Sequence, residues 1–487
     1  MRITNTMMMN STLRNVSRSK TNLNTAENQM STEKKITRPS DDPIVAIRAL
    51  SLRSSLSEIN QYLKSNIPDA KAWLQVTEGA LENMDSILSD IYKYCNQGAS
   101  DQFTEDDRTA IIQVLKQYKD AVYYEANTDY ADRYCFSGFK TDSSFTFLSS
   151  VEASKKYEIT QELSGQDITK VSVMKDSVDI SNISSISAAD TPETQEVYRL
   201  RLAYNSCMSG DFSDINVDGT TYTPTAVTHE EFEQLLSDGT FDAATDTFYY
   251  VYDTGELIMS DDLYDKTKLA ENISFTYQKD GFSKGEVRPE MYFNCTNLTD
   301  DIDYTQTEGG QAILYTINFN QTIQVNTLGN ETLSYDIGRD IDDMCNALQQ
   351  VDDIETKLAK LKEMQESAAY SDTEKEQIAT MITATEKELD YAKQNMENIF
   401  SIEMTNIKAY QQVVDLQLAD LGARSTRLTL AENRLTEQST TFNDLKSKNE
   451  DVELEDTVIQ YSSASTLYEA ALTAASQCVK KSLLDYI

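Results

Sequence analysis

Histidine, proline and glycine are scarce in this 487-residue chain, and each scarcity excludes a class of structure or function. The one histidine, His229, rules out metal sites built from several imidazoles and any relay between two histidines. Of six prolines, none follows Pro289, so the last 198 residues can form long uninterrupted helices. Eleven of the fifteen glycines lie between Gly165 and Gly338, so turns are concentrated in the middle of the chain.

The sequence also lacks paired cysteines and long apolar runs. Its six cysteines lie at least 40 residues apart with no CxxC pair, which argues against a zinc site and predicts free thiols. No stretch approaches 18 apolar residues, so no segment is expected to span a membrane. The first ten residues have no apolar core, so we expect no cleaved Sec-type signal peptide.

Charge is strongly acidic and unevenly distributed. Lys and Arg number 43 and Asp and Glu number 80, for a formal net charge of −37, which makes nucleic-acid binding unfavourable. Residues 1–60 have a net charge of +4, whereas residues 141–340 have a net charge of −23. Hydrophobic content is only 39%, which favours an elongated body whose helices need partners.

The acidic middle of the chain, residues 141–340, carries the signals of β structure. Aromatic and β-branched runs such as Thr247–Tyr252 and Ala312–Phe319 alternate with Gly-containing turn signals, which predicts hairpins. We therefore expect a β-rich insertion here. The turn signals are Asp218-Gly219, Asp238-Gly239, Asp280-Gly281 and Gly309-Gly310.

Both flanks of this insertion have the apolar periodicity of helices. In the first flank, Asp42 is a suitable N-cap, Pro43 suits the first helical turn, and Pro68 predicts a kink. Thr104 and Asp107 have the spacing of a capping pair. The long apolar stripe consists of Leu56, Ile59, Leu63, Ile67, Ala70, Leu74, Thr77, Leu81, Met84, Leu88, Ile91 and Cys95.

The C-terminal flank mirrors this pattern. Residues 341–398 predict a helical hairpin broken near Ser371, where Ser371 and Glu374 fit a capping box. Since the helices in 44–122 and 400–442 can pair with each other, we predict an intramolecular bundle for them. Apolar residues every seventh position continue the pattern at Val414, Leu421, Leu428, Leu435 and Phe442.

The two extreme ends have narrow apolar stripes and no obvious third helix to cover them. A lone helix pair of this kind buries little apolar surface, so we predict that the ends become ordered only against neighbouring copies of the chain. The assembly interface is predicted to consist of Met9, Leu13, Val16, Leu23, Val458, Tyr461, Tyr468, Leu472 and Val479.

No motif supplies a catalytic constellation. His229-Glu-Glu-Phe-Glu233 begins like a zinc-protease motif but lacks the second histidine, so it is interpreted as an acidic helix N-terminus. Asp214 to Gly219 matches half of an EF-hand loop, but Thr225 stands where the bidentate Glu is needed. We therefore predict a hairpin turn at this half-loop. For the chain as a whole, we predict no catalytic, cofactor-binding or metal-binding residues and no enzymatic activity.

The two ends together resemble the flagellin superfamily. The similarity is strongest at Met30-Ser-Thr-Glu-Lys-Lys-Ile-Thr-Arg-Pro-Ser-Asp-Asp-Pro43, where Glu33 replaces the glycine that the family usually has. It extends through Arg133-Tyr-Cys-Phe-Ser-Gly138 and, at the other end, Asp420-Leu-Gly-Ala-Arg424 and Ser482-Leu-Leu-Asp-Tyr-Ile487.

This resemblance implies a mainly α fold in three parts. Residues 1–43 and 446–487 would form terminal coiled-coil helices, the layer termed D0 in the family. Residues 44–140 and 341–445 would form a D1-like helical bundle, and residues 141–340 would be the acidic β-rich outer insertion.

The resemblance also implies a structural role in the extracellular flagellum after type III export. The chain would be an adaptor between hook and filament, in contact with sister subunits, the first hook-associated protein, flagellin and an export chaperone. Two alternatives stay open at this point. The chain could be filament flagellin, or its flagellin-like ends could carry a calcium-binding or enzymatic insertion.

Overall fold

The computed structural model describes residues 5–98, 104–175, 177–178, 180, 192–241, 246–306 and 310–479. Long helices occupy both flanks and strands occupy the centre, so the predicted mainly α fold with a β-rich central region is confirmed. The helices are α1 (Asn5–Thr32), α2 (Pro43–Gln61), α3 (Ile67–Gly98), α4 (Glu105–Ala126), α5 (Ser150–Ala153), α6 (His229–Ser237), α7 (Asp261–Thr267), α8 (Gly329–Thr332), α9 (Asp336–Glu366), α10 (Asp372–Glu450) and α11 (Leu454–Val479).

The chain divides into two compact units. The first contains the described residues of Met1–Lys71, Tyr315–Ile323 and Ser425–Ile487, and the second contains those of Ala72–Leu314 and Gln324–Arg424. These boundaries do not coincide with the three predicted parts, so the predicted division stays a proposal.

In the first unit, a local cap fixes the start of α2. The Asp42 carboxylate accepts hydrogen bonds from the backbone N–H groups of Ile44 (2.9 Å) and Val45 (3.2 Å), which have no partner inside the helix. Pro43 occupies the first turn, where its missing N–H is not needed. The predicted helix start is therefore confirmed.

A single π-helical turn, Tyr62–Asn66, separates α2 from α3. Pro68 has no N–H with which to continue the regular hydrogen-bond ladder, and the N–H of Ile67 bonds to Tyr62 O, one residue further back than in an α-helix. The kink predicted beside Pro68 stays a prediction, and this π-helical turn is the irregularity that the structure has there. Phe319 packs edge-on against Tyr62, with ring centroids 5.6 Å apart, and Asn66 Nδ2 donates to Thr316 O at 2.7 Å.

In the second unit, α3, α4, α9 and α10 bury the apolar faces that the periodicity predicts. The predicted capping box of α4 is present, with Thr104 and Asp107 bonded to each other's backbone N–H groups. Ser371 and Glu374 form the matching contacts at the start of α10. The fully buried residues of this core include Trp73, Leu74, Leu81, Met84, Leu88, Ile91, Leu115, Val122, Ile341, Met344, Leu348 and Val351.

The β-rich region of the second unit contains two sheets. The five-stranded sheet has the order β4-β5-β10-β9-β8, in which β8 and β9 are parallel, and the six-stranded sheet has the order β13-β12-β3-β11-β6-β7. Leu200, Tyr250 and Leu257 of the first sheet share a core with Ile159 and Tyr277 of the second. Because side chains alternate along a strand, the opposite face of each sheet is left free for other contacts.

The strands have the following bounds. Those of the five-stranded sheet are β4 (Thr169–Lys175), β5 (Glu193–Arg201), β8 (Thr225–Val227), β9 (Tyr249–Val251) and β10 (Glu256–Met259). Those of the six-stranded sheet are β3 (Lys156–Leu163), β6 (Ile215–Val217), β7 (Thr220–Tyr222), β11 (Ile273–Asp280), β12 (Asn294–Asn297) and β13 (Ile302–Tyr304). Two small pairs are β1 (Asp129–Tyr130) with β2 (Arg133–Tyr134), and β14 (Leu314–Asn318) with β15 (Gln321–Gln324).

The turn signals gave mixed results. Asp218-Gly219 closes the β6–β7 hairpin with φ values of +47° and +89°, as predicted. Asp238-Gly239 does not form a hairpin, because it ends α6, where a left-handed glycine also terminates a helix. Asp280-Gly281 ends β11, but the next strand, β12, pairs with β3 instead of folding back on β11. Gly309-Gly310 begins outside the described residues.

Candidate assembly interface

The first unit holds the residues predicted to carry assembly. Helices α1 and α11 pack against each other along their lengths, so each terminal helix has one partner within the chain. Ala26 and Thr457 are buried in this unit. Intramolecular pairing therefore covers one side of each helix.

Much of the predicted apolar surface is nevertheless exposed. Leu13 is 57% exposed and Val458 is 47% exposed, and Met9 and Leu472 are similarly open to solvent. Val16, Leu23, Tyr461 and Tyr468 are half-buried. The side chain of Val479 lies outside the described residues. The helix pair therefore leaves much of both predicted stripes open to solvent.

Sequence reasoning missed part of this surface. The additional exposed apolar side chains of the helix pair are Met7, Met8, Ile459 and Leu467. A heptad pattern selects one stripe, and these residues lie beside it, so the α1–α11 pair presents a broader apolar surface than the predicted seam.

A second apolar stripe was also missed. Ile44, Ile47 and Leu50 follow one another at three-residue spacing on α2, and they are 66%, 68% and 63% exposed. Residues three apart lie on the same side of a helix, so the sequence did contain the signal. The expectation that this helix is fully paired in a bundle obscured it.

The connection between α1 and α2 meets the connection between α10 and α11 at one end of the helix pair. We name residues 33–36 and 450–453, which make this contact, the joint. Glu33, with φ +59°, adopts the left-handed conformation that the family's glycine would hold easily. Its carbonyl accepts from Val452 N at 3.1 Å, and Lys35 N donates to Glu450 O at 2.7 Å. These two backbone hydrogen bonds join the α1–α2 connection to the α10–α11 connection.

Charged side chains reinforce the joint. Arg53 Nε and Nη2 bind the two carboxylate oxygens of Glu450 at 2.8 and 2.6 Å, and the Glu450 side chain is almost fully buried. This pairing raises the pKa of Arg53. Lys34 forms an ion pair with Asp451, and that hydrogen bond lowers the pKa of Asp451. The contacts are suited to holding the helix pair and offer no nucleophile–base arrangement.

The residues considered for other chemistry lie elsewhere. His229 begins α6 behind its N-cap Thr228, as predicted, and its exposed ring lies 3.5 Å from Glu233. Asp214 accepts a hydrogen bond from Thr223 across the β6–β7 hairpin. Across the described parts of the chain, no group of three His, Cys, Asp or Glu side chains is arranged to hold a metal ion.

The five described cysteines are buried free thiols. Burial raises the pKa of Cys95 to about 12 and that of Cys135 to about 11, so both are protonated and poor nucleophiles at neutral pH. Cys478 has its side chain outside the described residues. No helix in the described ranges has the length and apolarity needed to cross a membrane.

Family comparisons identify both ends of the chain. The bacterial flagellin N-terminal helical region matches residues 3–141, and the bacterial flagellin C-terminal helical region matches residues 404–487. The resemblance predicted from the sequence is therefore confirmed. The two matches include α1 and α11 and both sides of the joint.

Individual relatives agree with these matches. The flagellar hook-associated protein 3 of Salmonella typhimurium is 30% identical over 145 residues, which cover 29% of this chain and 45% of the relative. A flagellin of Clostridium tyrobutyricum is 31% identical over 126 residues, which cover 26% of this chain and 33% of the relative. The chain thus spans less than half the length of either relative.

A solved structure of a flagellar hook-associated protein from Vibrio parahaemolyticus is also similar. It covers 84% of this chain and 100% of its own, with 14% identity and a TM-score of 0.38.

Proposed function

We propose, on the premise that the chain carries both terminal helical regions of the flagellin family, that it is a structural subunit of the bacterial flagellum. Its place would be the hook–filament junction, where copies form a ring that adapts one tubular lattice to the next. The name of the Salmonella relative supports this assignment. The observation that carries the proposal is the match of both ends, joined in one helix pair, to the flagellin terminal regions.

The exposed apolar surface of the α1–α11 pair supports assembly through these helices. Soluble monomers rarely leave several neighbouring large apolar side chains open, and such surfaces are typical of interfaces. A contact between different surfaces of successive copies continues around a ring or along a helix. The assembly interface would include Met9, Leu13, Val16, Leu23, Val458, Tyr461, Tyr468, Leu472 and Val479.

The proposed arrangement has three layers. The terminal segments 1–43 and 446–487 would form the inner coiled-coil layer, and residues 44–140 and 341–445 the surrounding bundle. The acidic β-rich residues 141–340 would face outward, where a net charge of −23 is solvated. The subunit would work without catalysis.

Contacts in the assembled flagellum follow from the proposed position. Sister subunits would lie on both sides, the first hook-associated protein on the hook side and flagellin on the filament side. Before assembly an export chaperone would cover the C-terminal helix. The assembled subunit would be extracellular, having left the cell through the flagellar export apparatus.

Electron microscopy of cells lacking this protein tests the proposal. We expect hooks without filaments, and flagellin shed into the medium. The intact gene should restore the filaments and end the shedding. Filaments of normal length and number on the mutant cells would contradict a junction role.

Filament flagellin is the second candidate, because the Clostridium tyrobutyricum flagellin matches the chain at similar identity. Immunogold labelling of the intact flagellum separates the two roles. Label confined to the hook tip supports the junction subunit, and label along the filament supports flagellin.

A further inference from the structure

A cluster of buried charges lies in the second unit where β5 crosses helices α9 and α10. Arg199 and Arg201 project from the same face of β5 because side chains alternate along a strand. Arg199 bonds to Asp343 at 3.2 Å, and Arg201 bonds to Asp343 at 3.1 Å and to Asp336 at 3.2 Å. These contacts attach the five-stranded sheet to α9.

Asp340 lies at the centre of the cluster and is completely buried. Its carboxylate forms an ion pair with Arg201 and accepts a hydrogen bond from Tyr410 Oη at 2.6 Å. Glu403, on α10, is also buried, and its carboxyl group lies close enough to Asp340 for the two charges to interact. Asn406 donates to Glu403 Oε2 at 3.0 Å.

Two buried carboxyl groups that interact in this way are not both ionised at neutral pH, because the second charge would be repelled by the first and is poorly solvated. Asp340 already accepts from a guanidinium and a phenol, so its charge is compensated. Glu403 accepts a hydrogen bond from the neutral Asn406 amide, and the charge of Arg201 lowers its pKa less than burial and Asp340 raise it. The proton therefore belongs on Glu403.

We propose that Asp340 and Glu403 form a buried proton-binding site, and that the bound proton acts as a clasp that holds β5, α9 and α10 together. This inference goes beyond the assembly role and is independent of it. Loss of the proton would place a second negative charge directly against Asp340 in a buried site. The resulting repulsion and desolvation would favour separation of α10 from the β5–α9 pair.

The electrostatic surroundings agree with this assignment. Burial, followed by the charge of Asp340, raises the pKa of Glu403 to about 9, far above its ordinary value of 4.5. The ionisable groups of the cluster around the pair are Arg199 and Arg201 of β5, Glu256 of β10, Asp336, Arg339 and Asp343 of α9, Tyr335, Cys95 of α3 and Tyr410 of α10.

Most of these neighbours keep their charge between pH 6 and 10. Burial raises the pKa of Cys95 to about 12 and raises that of Tyr410 further, so both stay protonated. Arg199 and Arg201 lower the pKa of Asp343 in spite of its burial, so it stays ionised. Burial raises the pKa of Asp336, while Arg201 opposes the rise. Substituting Glu403 therefore distinguishes the effect of its proton on the pH dependence from the effect of a proton on Asp336.

A cavity gives the clasp a route for opening. A space of about 540 Å³ beside the cluster is lined by Arg201, Asp336, Glu403, Asn406 and Tyr410, among others. Water entering this space could solvate an ionised Glu403 once the helices begin to separate. The folded protein therefore has a local response to proton loss that does not require global unfolding.

The direction of the pH dependence follows from proton counting. The folded chain keeps the Glu403 proton at pH values where the unfolded chain, with a pKa near 4.5, has released it. Stability from this group is complete below about pH 4.5 and is lost as the pH rises through about 9. Opening of the clasp should therefore become easier by up to about tenfold per pH unit within that range.

Hydrogen exchange of the full chain between pH 6 and 10 tests the proposal, after correction for the base-catalysed intrinsic rate. We expect protection of residues 336–346 and 398–410 to fall with pH in the wild type and to stay nearly constant in Glu403→Gln, whose neutral amide can still donate to Asp340. The exposed Glu397→Gln on the same helix is the matched control and should behave like the wild type. Equal pH dependence in wild type and Glu403→Gln would overturn the proposal.

A second measurement uses only the wild-type chain, so it does not depend on whether a variant folds. Unfolding by guanidinium at pH 7 in a weakly buffered indicator solution should release about one proton, because Glu403 is protonated only in the folded state. No net proton release at this pH would mean that Glu403 is already ionised in the folded chain, and the clasp would not exist.

Discussion

Glu33 adopts a backbone conformation that residues with side chains seldom hold, and it does so at the joint between the terminal helix pair and α2. Its φ of +59° lies in the left-handed region, which is costly for a residue with a Cβ atom. This cost is offset by the hydrogen bond from Val452 N to Glu33 O, which joins the two segments of the joint. The fold therefore holds this turn geometry with a residue other than glycine.

Replacing this residue should stabilise the protein. Glu33→Gly removes the left-handed strain, although it also increases the entropy of the unfolded chain, and we expect a net gain of about 1 kcal/mol. The matched control is Glu27→Gly, at an exposed position within α1, which should cost about 1 kcal/mol. Urea unfolding monitored by circular dichroism measures both, and destabilisation by Glu33→Gly would show that the side chain has a stabilising role.

The Arg53–Glu450 pair is the second residue-scale feature of the joint. Arg53→Ala would leave the carboxylate of Glu450 buried without its bidentate partner, and we expect a loss of about 2 kcal/mol, less than for a fully buried pair because Arg53 is half exposed. Adding Glu450→Gln should recover part of this loss, because the orphaned charge is removed. A double-mutant cycle by urea unfolding checks this. Additive losses would show that the two side chains act independently.

At the scale of whole elements, several starts and ends were predictable because they depend on neighbouring residues alone. Asp42 and Pro43 begin α2, and Thr104 begins α4, since a side-chain oxygen there satisfies N–H groups that the helix leaves free. Asp238-Gly239 was misassigned for the same local reason. A glycine with positive φ serves a hairpin turn and a helix end equally well, and the dipeptide does not distinguish them.

The apolar face of α2 is an element-scale feature that local patterns did not resolve. Ile44, Ile47 and Leu50 have the spacing of a buried helix face, yet no other part of the described chain covers them. Periodicity shows that a helix has an apolar side, but burial depends on which elements fold against it. In the proposed ring, this face would contact a sister subunit.

Ile47→Asp separates assembly from stability. Because Ile47 is 68% exposed, we expect the free energy of unfolding of the monomer to change by less than about 0.5 kcal/mol, while incorporation into flagella falls strongly. The control Ser51→Asp adds the same charge at an exposed position of the same helix. Motility and immunoblots of sheared flagella report incorporation. Normal incorporation of Ile47→Asp would remove α2 from the proposed interface.

For the molecule as a whole, the terminal helices raise the question of where their apolar surfaces are satisfied. The prediction that they need sister subunits stays a prediction. Within the chain, α1 already packs against α11. The pair leaves Leu13, Val458 and their neighbours open to solvent. Each helix has one partner within the chain and a free side suited to another.

Deleting residues 454–487 tests this dependence. We expect α1 to lose its hydrogen-exchange protection in the monomer, because an isolated helix of this composition is marginal in water, while α3 and α9 keep theirs. The truncated chain should still be found in culture supernatants but not in flagella. Retained protection of α1, or filaments of normal number on cells making only this chain, would show that α11 is dispensable.

Sequence by itself determined the helical flanks, their caps and the β-rich acidic centre, because these rest on periodicity, short-range hydrogen bonds and composition. The ends were identified by their resemblance to the flagellin superfamily. Tertiary structure alone decided which apolar faces stay open, how the joint pairs residues 417 positions apart, and that Glu403 lies against Asp340. The physical reason is that burial and desolvation are set by neighbours distant in the chain. The Glu403 side chain would be a solvated carboxylate on a free helix, whereas in the folded molecule it is a protonated carboxyl group.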